Sequence, residues 1–247
     1  MGADQNIMWQ DAVASALEWW QDAGIGALAD ESPRDWFAAP APPPAVKRVV
    51  ADQPVAPVVV PLPTTLDAFL AWRTGPDAPE AGWTGGTPIA AQGSPGAELM
   101  VLVDTPERDD VDRLLDGAAG RLFDRMLAAI GHNRDTVYLA TLCTVRPLAG
   151  RIAPEVEERL AEIARHHVAL VAPKRLLILG NATSRALLAM DVARARGSLR
   201  RVNHFPAIDE QRTEAVASFH PRLLLERPAQ KAEAWRDLQM LIGGTGS

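Results

Sequence analysis

Leu99-Met100-Val101-Leu102-Val103-Asp104-Thr105-Pro106 is the stretch on which the fold turns. Five apolar residues with no polar alternation, stopped by a carboxylate and a proline, read as a short strand buried on both faces, Leu99–Val103. The same signals recur along the chain. Residues 111–130 place Leu114, Leu115, Ala118, Leu122, Met126 and Ile130 on one helical face and end at Gly131. Val137–Leu142 reads as a second strand. Pro154 then opens a helix at a position that suits proline, with Leu160, Ile163, His167, Val168 and Val171 turned inward. Leu176–Leu179 is a third strand, Ala182–Met190 a helix, Ala215–Phe219 a fourth strand, and a last helix runs from about Pro228 to Ile242. Strands alternating with helices predict the α/β class, as a three-layer α/β/α sandwich with a central four-stranded parallel sheet.

Outward from this core the composition changes. Residues 1–37 carry Trp9, Val13, Leu17, Trp20 and Ile25 at roughly helical spacing, an amphipathic helical segment. Residues 38–63 hold 8 of the 20 prolines, including Pro42-Pro43-Pro44, and read as an extended linker that sustains neither a helix nor a central strand. The α/β domain is expected over 64–247, beginning with a short helix at Leu66–Trp72.

Cys143 is the single cysteine among 247 residues. One thiol excludes an internal disulfide and a cysteine-held zinc or iron–sulfur site. His166 and His167 are adjacent on a helix and face different ways, so they are not a metal pair. No metal or other cofactor is therefore expected. No run of about 18 apolar residues is present, and Met1–Ile7 lacks the basic start and apolar core of a secretory signal; a cytoplasmic protein without a membrane partner is expected. The net charge of −6 hides a division at Asp112. Residues 1–112 carry 5 basic and 17 acidic side chains, residues 113–247 carry 20 basic and 14 acidic, and 18 of those 20 bases are arginine. The second half can present a phosphate-facing surface while the whole chain stays acidic.

In an open parallel sheet, ligands bind beyond the carboxyl ends of the strands. Those ends hold Asp104-Thr105-Pro106, Thr141 to Pro147, Gly180-Asn181 and His220-Pro221. With Gly120-Arg121-Leu122-Phe123-Asp124-Arg125-Met126-Leu127-Ala128-Ala129-Ile130-Gly131, Leu177-Ile178-Leu179-Gly180-Asn181, Phe219-His220-Pro221 and the tail Pro228 to Leu238, this ordered set resembles the uracil-DNA glycosylase superfamily, closest to its family 4 branch. The resemblance covers roughly Leu99 to Leu241.

Such enzymes flip a uracil out of the stack, hold it in a tight pocket and cleave the N-glycosidic bond with water. The resemblance implies that Asp104 positions or activates water and that His220 stabilises the departing base, both as catalytic residues. Thr105, Pro106, Leu115, Thr141 and Asn181 would bind substrate, and Arg146, Arg196, Arg200, Pro221 and Arg222 would meet DNA.

The chain also departs from the family pattern. Val103-Asp104-Thr105-Pro106-Glu107 stands where the family has Gly-Glu-Ala-Pro-Gly, Leu115 replaces an aromatic ring, and Thr141 replaces the asparagine that reads the uracil amide edge. Stacking on an aromatic ring contributes about 1–3 kcal/mol per base, of which leucine recovers part, and a hydroxyl cannot reproduce the two-point pattern of a carboxamide. Val145 and Leu160 occupy two positions of the family's cluster-binding cysteines, and Cys143 reads as a buried strand residue. The acidic run Asp104–Asp112 reads as solvent-facing, in place of a DNA-contacting loop. Two functions follow. One is a divergent, cluster-free glycosylase-like protein of DNA repair that recognises or excises a deaminated base. The other is a non-catalytic descendant that binds DNA, or a protein partner through the N-terminal helix or the Pro-rich linker.

Overall fold

A computed structural model describes residues 9–22, 61–84, 86–148, 152, 154–202 and 213–243. They fall in two units, one within residues 1–58 and the other within 59–247. In the first, α1 (Trp9–Asp22) is the described element, and Val13, Leu17 and Trp19 on it are exposed. Most of the expected linker and Ile25 lie outside the described residues.

The second unit runs α2 (Leu66–Arg73), β1 (Gln92–Gly93), β2 (Leu99–Val103), α3 (Gly117–Ala129), β3 (Val137–Thr141), α4 (Pro154–Val171), β4 (Arg175–Leu179), α5 (Asn181–Leu188), α6 (Val192–Ala195), β5 (Arg200–Val202), β6 (Thr213–Ser218), α7 (Pro221–Glu226), a single 3₁₀ turn at Pro228–Gln230, and α8 (Lys231–Gly243). Among the described residues the sheet has six strands in the order β1-β3-β2-β4-β6-β5. The four expected parallel strands form its centre, and β1 and β5 add short antiparallel edges, so the expectation of four strands is corrected to six.

Every residue of β2 and β3 is buried, as fits strands covered on both faces. Their side chains alternate between two cores. Val101, Val103, Leu139, Leu177, Leu179 and Val216 pack with Phe123 and Leu127 of α3 and Leu238 of α8. Met100, Leu102, Tyr138, Ala140, Ile178 and Ala217 pack with Phe69 of α2 and Leu160, Ile163 and Val168 of α4. In the second core Tyr138 Oη and His167 Nε2 share a hydrogen bond of 2.9 Å, and burial holds the histidine pKa down at about 3, so the ring is neutral. His167 is a satisfied core residue.

The helix expected over 111–130 begins later, at Gly117. Leu114 and Leu115 are buried in the preceding loop, and Leu115 takes a left-handed φ of 53°. The cause is Asp110, whose carboxylate accepts the backbone N–H groups of Glu107 (2.8 Å), Leu115 (2.9 Å) and Asp116 (2.7 Å) and so holds the loop out of a helical path. Asp116 then caps α3. The acidic run is thus only partly solvent-facing, since Asp110 and Glu107 turn inward while Arg108 and Asp109 stay exposed. Arg134 completes the loop by donating to the carbonyls of Leu114 (2.7 Å) and Leu115 (2.5 Å).

Gly120 is where α3 touches this loop. A Cβ there would sit 1.8 Å from the Leu115 carbonyl oxygen. Gly120→Ala is expected to lower unfolding stability by about 3 kcal/mol, as overpacking against backbone does, measured by urea denaturation; Gly96→Ala, where a Cβ meets nothing within 4 Å, serves as the neutral comparison.

Candidate active site at the carboxyl ends of the central strands

The central strands end flush. Val103 pairs with Thr141 and Leu179, and Leu179 pairs with Ser218, so the residues that follow each strand share one edge. Asp104 leaves β2 there and reaches the first turn of α5. Its Oδ1 accepts from Thr183 N at 2.8 Å and from Thr183 Oγ1 at 2.7 Å. A helix start leaves backbone donors without partners, and Gly180, the N-cap of α5, has no side chain to fill them. Asp104 therefore supplies the cap from another strand. The fit is close, because a Cβ at Gly180, itself at φ +121°, would lie 2.3 Å from Asp104 Oδ2. Burial pushes the Asp104 carboxyl up, against the lowering effect of the Thr183 hydrogen bonds.

His220 follows β6 and is buried. Its Nδ1 accepts from Arg222 N at 3.2 Å, which caps α7, and Pro221 fills the first helical position. Burial first, then the Arg222 and Arg146 charges, hold its pKa down at about 3. Glu107 Oε1 lies 3.6 Å from Nδ1, but that nitrogen already receives the Arg222 N–H. The contact is therefore not an ion pair. The ring is neutral, with its proton on Nε2, and can donate one hydrogen bond without carrying charge.

Asp104 and His220 line a common cleft of about 410 Å³, with Asn181, Phe219 and Arg222 among the other walls. Asn181 sits at the rim, where its Oδ1 accepts from Val192 N at 3.0 Å; it caps α6 rather than its own helix. Gln230 also faces the cleft, and its Oε1 is buried without a hydrogen-bond partner among the described residues. Sequence reading missed Gln230, because only the tertiary fold carries the turn after α7 back to the strand ends.

Leu115 and Thr141 lie elsewhere. Leu115 is 1% exposed and belongs to the core under α3. The Thr141 hydroxyl donates to Cys143 O at 2.8 Å, and the residue borders a separate narrow gap with Arg73 and His167. Thr105 and Pro106 lie in the loop after β2, where Pro106 O accepts from Arg146 Nη1 at 3.0 Å. Asp104, His220, Leu115 and Thr141, all expected at the substrate, are thus divided between a cleft, a core and a gap.

The cations are committed as well. Arg196 pairs with Glu233 (2.8 Å) and the fully buried Asp237 (3.2 Å), and its guanidinium lies 4.9 Å from the Phe219 ring centroid. Arg200 donates to the carbonyls of Ala195 (3.2 Å) and Arg194 (3.4 Å). Arg222 Nη1 lies 3.1 Å from both carboxylate oxygens of Glu107.

Cys143 is fully buried, and burial pushes its thiol up, away from the thiolate that a metal needs. Val145 and Leu160 around it are buried too. Beside them lies a buried ion pair. Arg73 binds Glu80 and donates to Leu142 O at 2.7 Å, while Glu80 Oε1 accepts from Thr144 N at 3.0 Å. Among the described residues no group of three His, Cys, Asp or Glu side chains is placed to hold a metal.

The two depressed histidines make stability depend on pH. His167 and His220 stay neutral in the folded state down to about pH 3, whereas in the unfolded chain they take up protons below about pH 6.5. Their contribution is full above that value and is lost as pH falls toward 3, by up to about 1.4 kcal/mol per pH unit for each ring. The raised carboxyls of Asp104, Glu107 and Asp237 act in the opposite sense. His220→Asn keeps a capping oxygen and does not titrate. Urea midpoints at pH 6.5 and 5.0 are expected to converge in this variant, recovering about 2 kcal/mol of the acid-side loss; an unaltered pH dependence contradicts the assignment.

Comparison with known proteins places this arrangement in a family. The chain is 26% identical over 162 residues to the type-4 uracil-DNA glycosylase of Pyrobaculum aerophilum, covering 63% of this chain and 82% of that protein. It is 25% identical over 162 residues to the type-4 uracil-DNA glycosylase of Archaeoglobus fulgidus, covering 62% and 79%. A model of the Uracil DNA glycosylase superfamily matches residues 90–239, more than half of the chain and every strand end described above, and on this evidence the chain belongs to the uracil DNA glycosylase superfamily.

Proposed function

We propose that this protein recognises DNA through the glycosylase fold and that its excision of uracil is lost or strongly reduced. One observation carries the reading: Leu115 is packed in the core and Thr141 borders a narrow gap, whereas Asp104 and His220 line a different cleft. A flipped uracil needs one pocket that stacks its ring, reads its amide edge and holds the leaving base. Here the stacking position is a core leucine and the reading position a hydroxyl tied to Cys143 O. Opening that space would expose Leu115, at about 1.5–3 kcal/mol for its apolar area, and break the Thr141 hydrogen bond.

The fold stands in this proposal without an iron–sulfur cluster. The donor set does not fit one, since a cluster takes four thiolates and this chain has a single buried thiol. The DNA partner follows from the family and from the basic second half of the chain. Asp104 holds the loop after β2 in place rather than activating water, and His220 is a neutral hydrogen-bond donor at the cleft.

A second reading rests on the cleft itself. At about 410 Å³ it lies within the range of ligand pockets, and it joins the Asp104 carboxylate, the neutral His220 and the unpartnered Gln230 oxygen. A base other than uracil, entering from this side, would meet all three.

Single-turnover base release from uracil-containing duplex, beside the Pyrobaculum aerophilum relative, separates these readings. Release slower by about 10³-fold or more, with salt-sensitive DNA binding retained, is expected. Release at a rate near that of the relative contradicts the proposal, and release from hypoxanthine or xanthine DNA alone favours the second reading.

A further inference from the structure

We propose that the Arg222–Arg146 cluster is a phosphodiester-binding site occupied in the free protein by the chain's own Glu107 carboxylate. The proposal rests on the DNA-recognition reading above and adds the means by which that surface is held closed. Glu107 belongs to the loop after β2 and Arg222 to the first turn of α7, 115 residues later. Both oxygens of the carboxylate lie 3.1 Å from Arg222 Nη1. Arg146, held by Pro106 O at 3.0 Å, acts on the same carboxylate, and the two line one hollow of about 320 Å³. Arg222 faces the neighbouring cleft with His220 and Asp104. The ion pair is therefore a ridge between the two hollows at the carboxyl edge of the sheet.

A carboxylate paired with the Arg222 guanidinium, in the field of the Arg146 charge, holds a place that a phosphate oxygen pair can also fill. The two partners differ in commitment. The Glu107 side chain is 13% exposed, and burial works against its charge, whereas the Arg222 side chain is 46% exposed. Arg222, nearly half exposed, can turn toward a ligand in solvent, and the exposed half of the pair is weakly held. Other cations near the edge lack this freedom. Arg196 is bound to the buried Asp237, and Arg200 is turned to backbone carbonyls. A phosphate that displaces Glu107 gains Arg222, and DNA without phosphate in that place leaves the pair closed.

A double-mutant cycle on fluorescently labelled duplex tests this. Glu107→Gln is expected to raise affinity about fivefold at low salt and to steepen the log affinity against log salt plot by about 0.9, the slope of one added phosphate contact. Combined with Arg222→Gln, the same change should lose most of that gain and all of the added slope. An equal gain in both backgrounds means that removal of a negative charge alone is responsible, and it overturns the proposal. A second readout stands apart from DNA binding. The Arg222 Nε–Hε NMR signal of the Glu107→Gln protein should move on titration with inorganic phosphate and that of the unaltered protein should not. Response to phosphate with no DNA binding by any variant keeps the anion site and removes the DNA reading. DNA binding without a Glu107→Gln gain and without the phosphate response removes this proposal alone.

Discussion

The bond from Asp104 to the first turn of α5 is the contact on which the carboxyl edge of the sheet depends. It joins the loop after β2 to the start of the helix that follows β4, 79 residues on, and it supplies the cap that Gly180 cannot. Gly180 in turn must lack a side chain for the carboxylate to fit. A carboxylate that accepts two hydrogen bonds at a helix start is held by the helix dipole as well as by those bonds. Such a group is a fixed part of the scaffold. The cost is borne as a raised pKa, since burial outweighs the Thr183 donors.

From that anchor the rest of the edge follows. The loop after Asp104 is gathered by the Asp110 carboxylate, which turns Leu115 into the core and lets Gly120 of α3 press against its carbonyl. The same loop brings Glu107 against Arg222 and Pro106 against Arg146. On the other side, Asp237 of α8 binds Ser218, Arg196 and Gly197 at once and steadies the end of β6 just before Phe219 and His220. Pairing across elements satisfies Asp104, Glu107, Arg222 and Asp237, while the cleft keeps the neutral His220 ring and the unpartnered Gln230 oxygen. The buried Arg73–Glu80 pair extends this pairing to the strand edge beside Val145 and Leu160, where the family resemblance implies cluster-binding cysteines.

The four central strands were legible because each is a short apolar run buried on both faces, and the loop residues that matter were legible as whatever follows those runs. The edge strands were not. β1 is two residues long and β5 begins Arg200-Arg201, so neither shows an apolar run. The start of α3 was misplaced because Leu114 and Leu115 fall in helical phase with the true helix, and what removes them is a tertiary hydrogen bond from Asp110. The Asp116-Gly117 pair, a cap residue followed by a glycine at φ 64°, was the local signal for the later start. Asp104 and His220 were found by position, whereas their partners were out of reach. Thr183 lies 79 residues from Asp104, and Glu107 lies 115 residues from Arg222 beside His220, and no local pattern encodes such pairings. Gln230 escaped for the same reason.

The central claim is that the space a uracil would need is filled by Leu115 and closed by the Thr141 hydrogen bond. A crystal structure of the protein with a duplex carrying non-cleavable 2′-fluoro-2′-deoxyuridine tests it most directly. The account predicts contacts to the phosphate backbone, with the uracil outside the space between Leu115 and Thr141 and the Thr141 hydroxyl still on Cys143 O. A uracil flipped against Leu115, with Thr141 turned to its amide edge and His220 on its carbonyl, would contradict it.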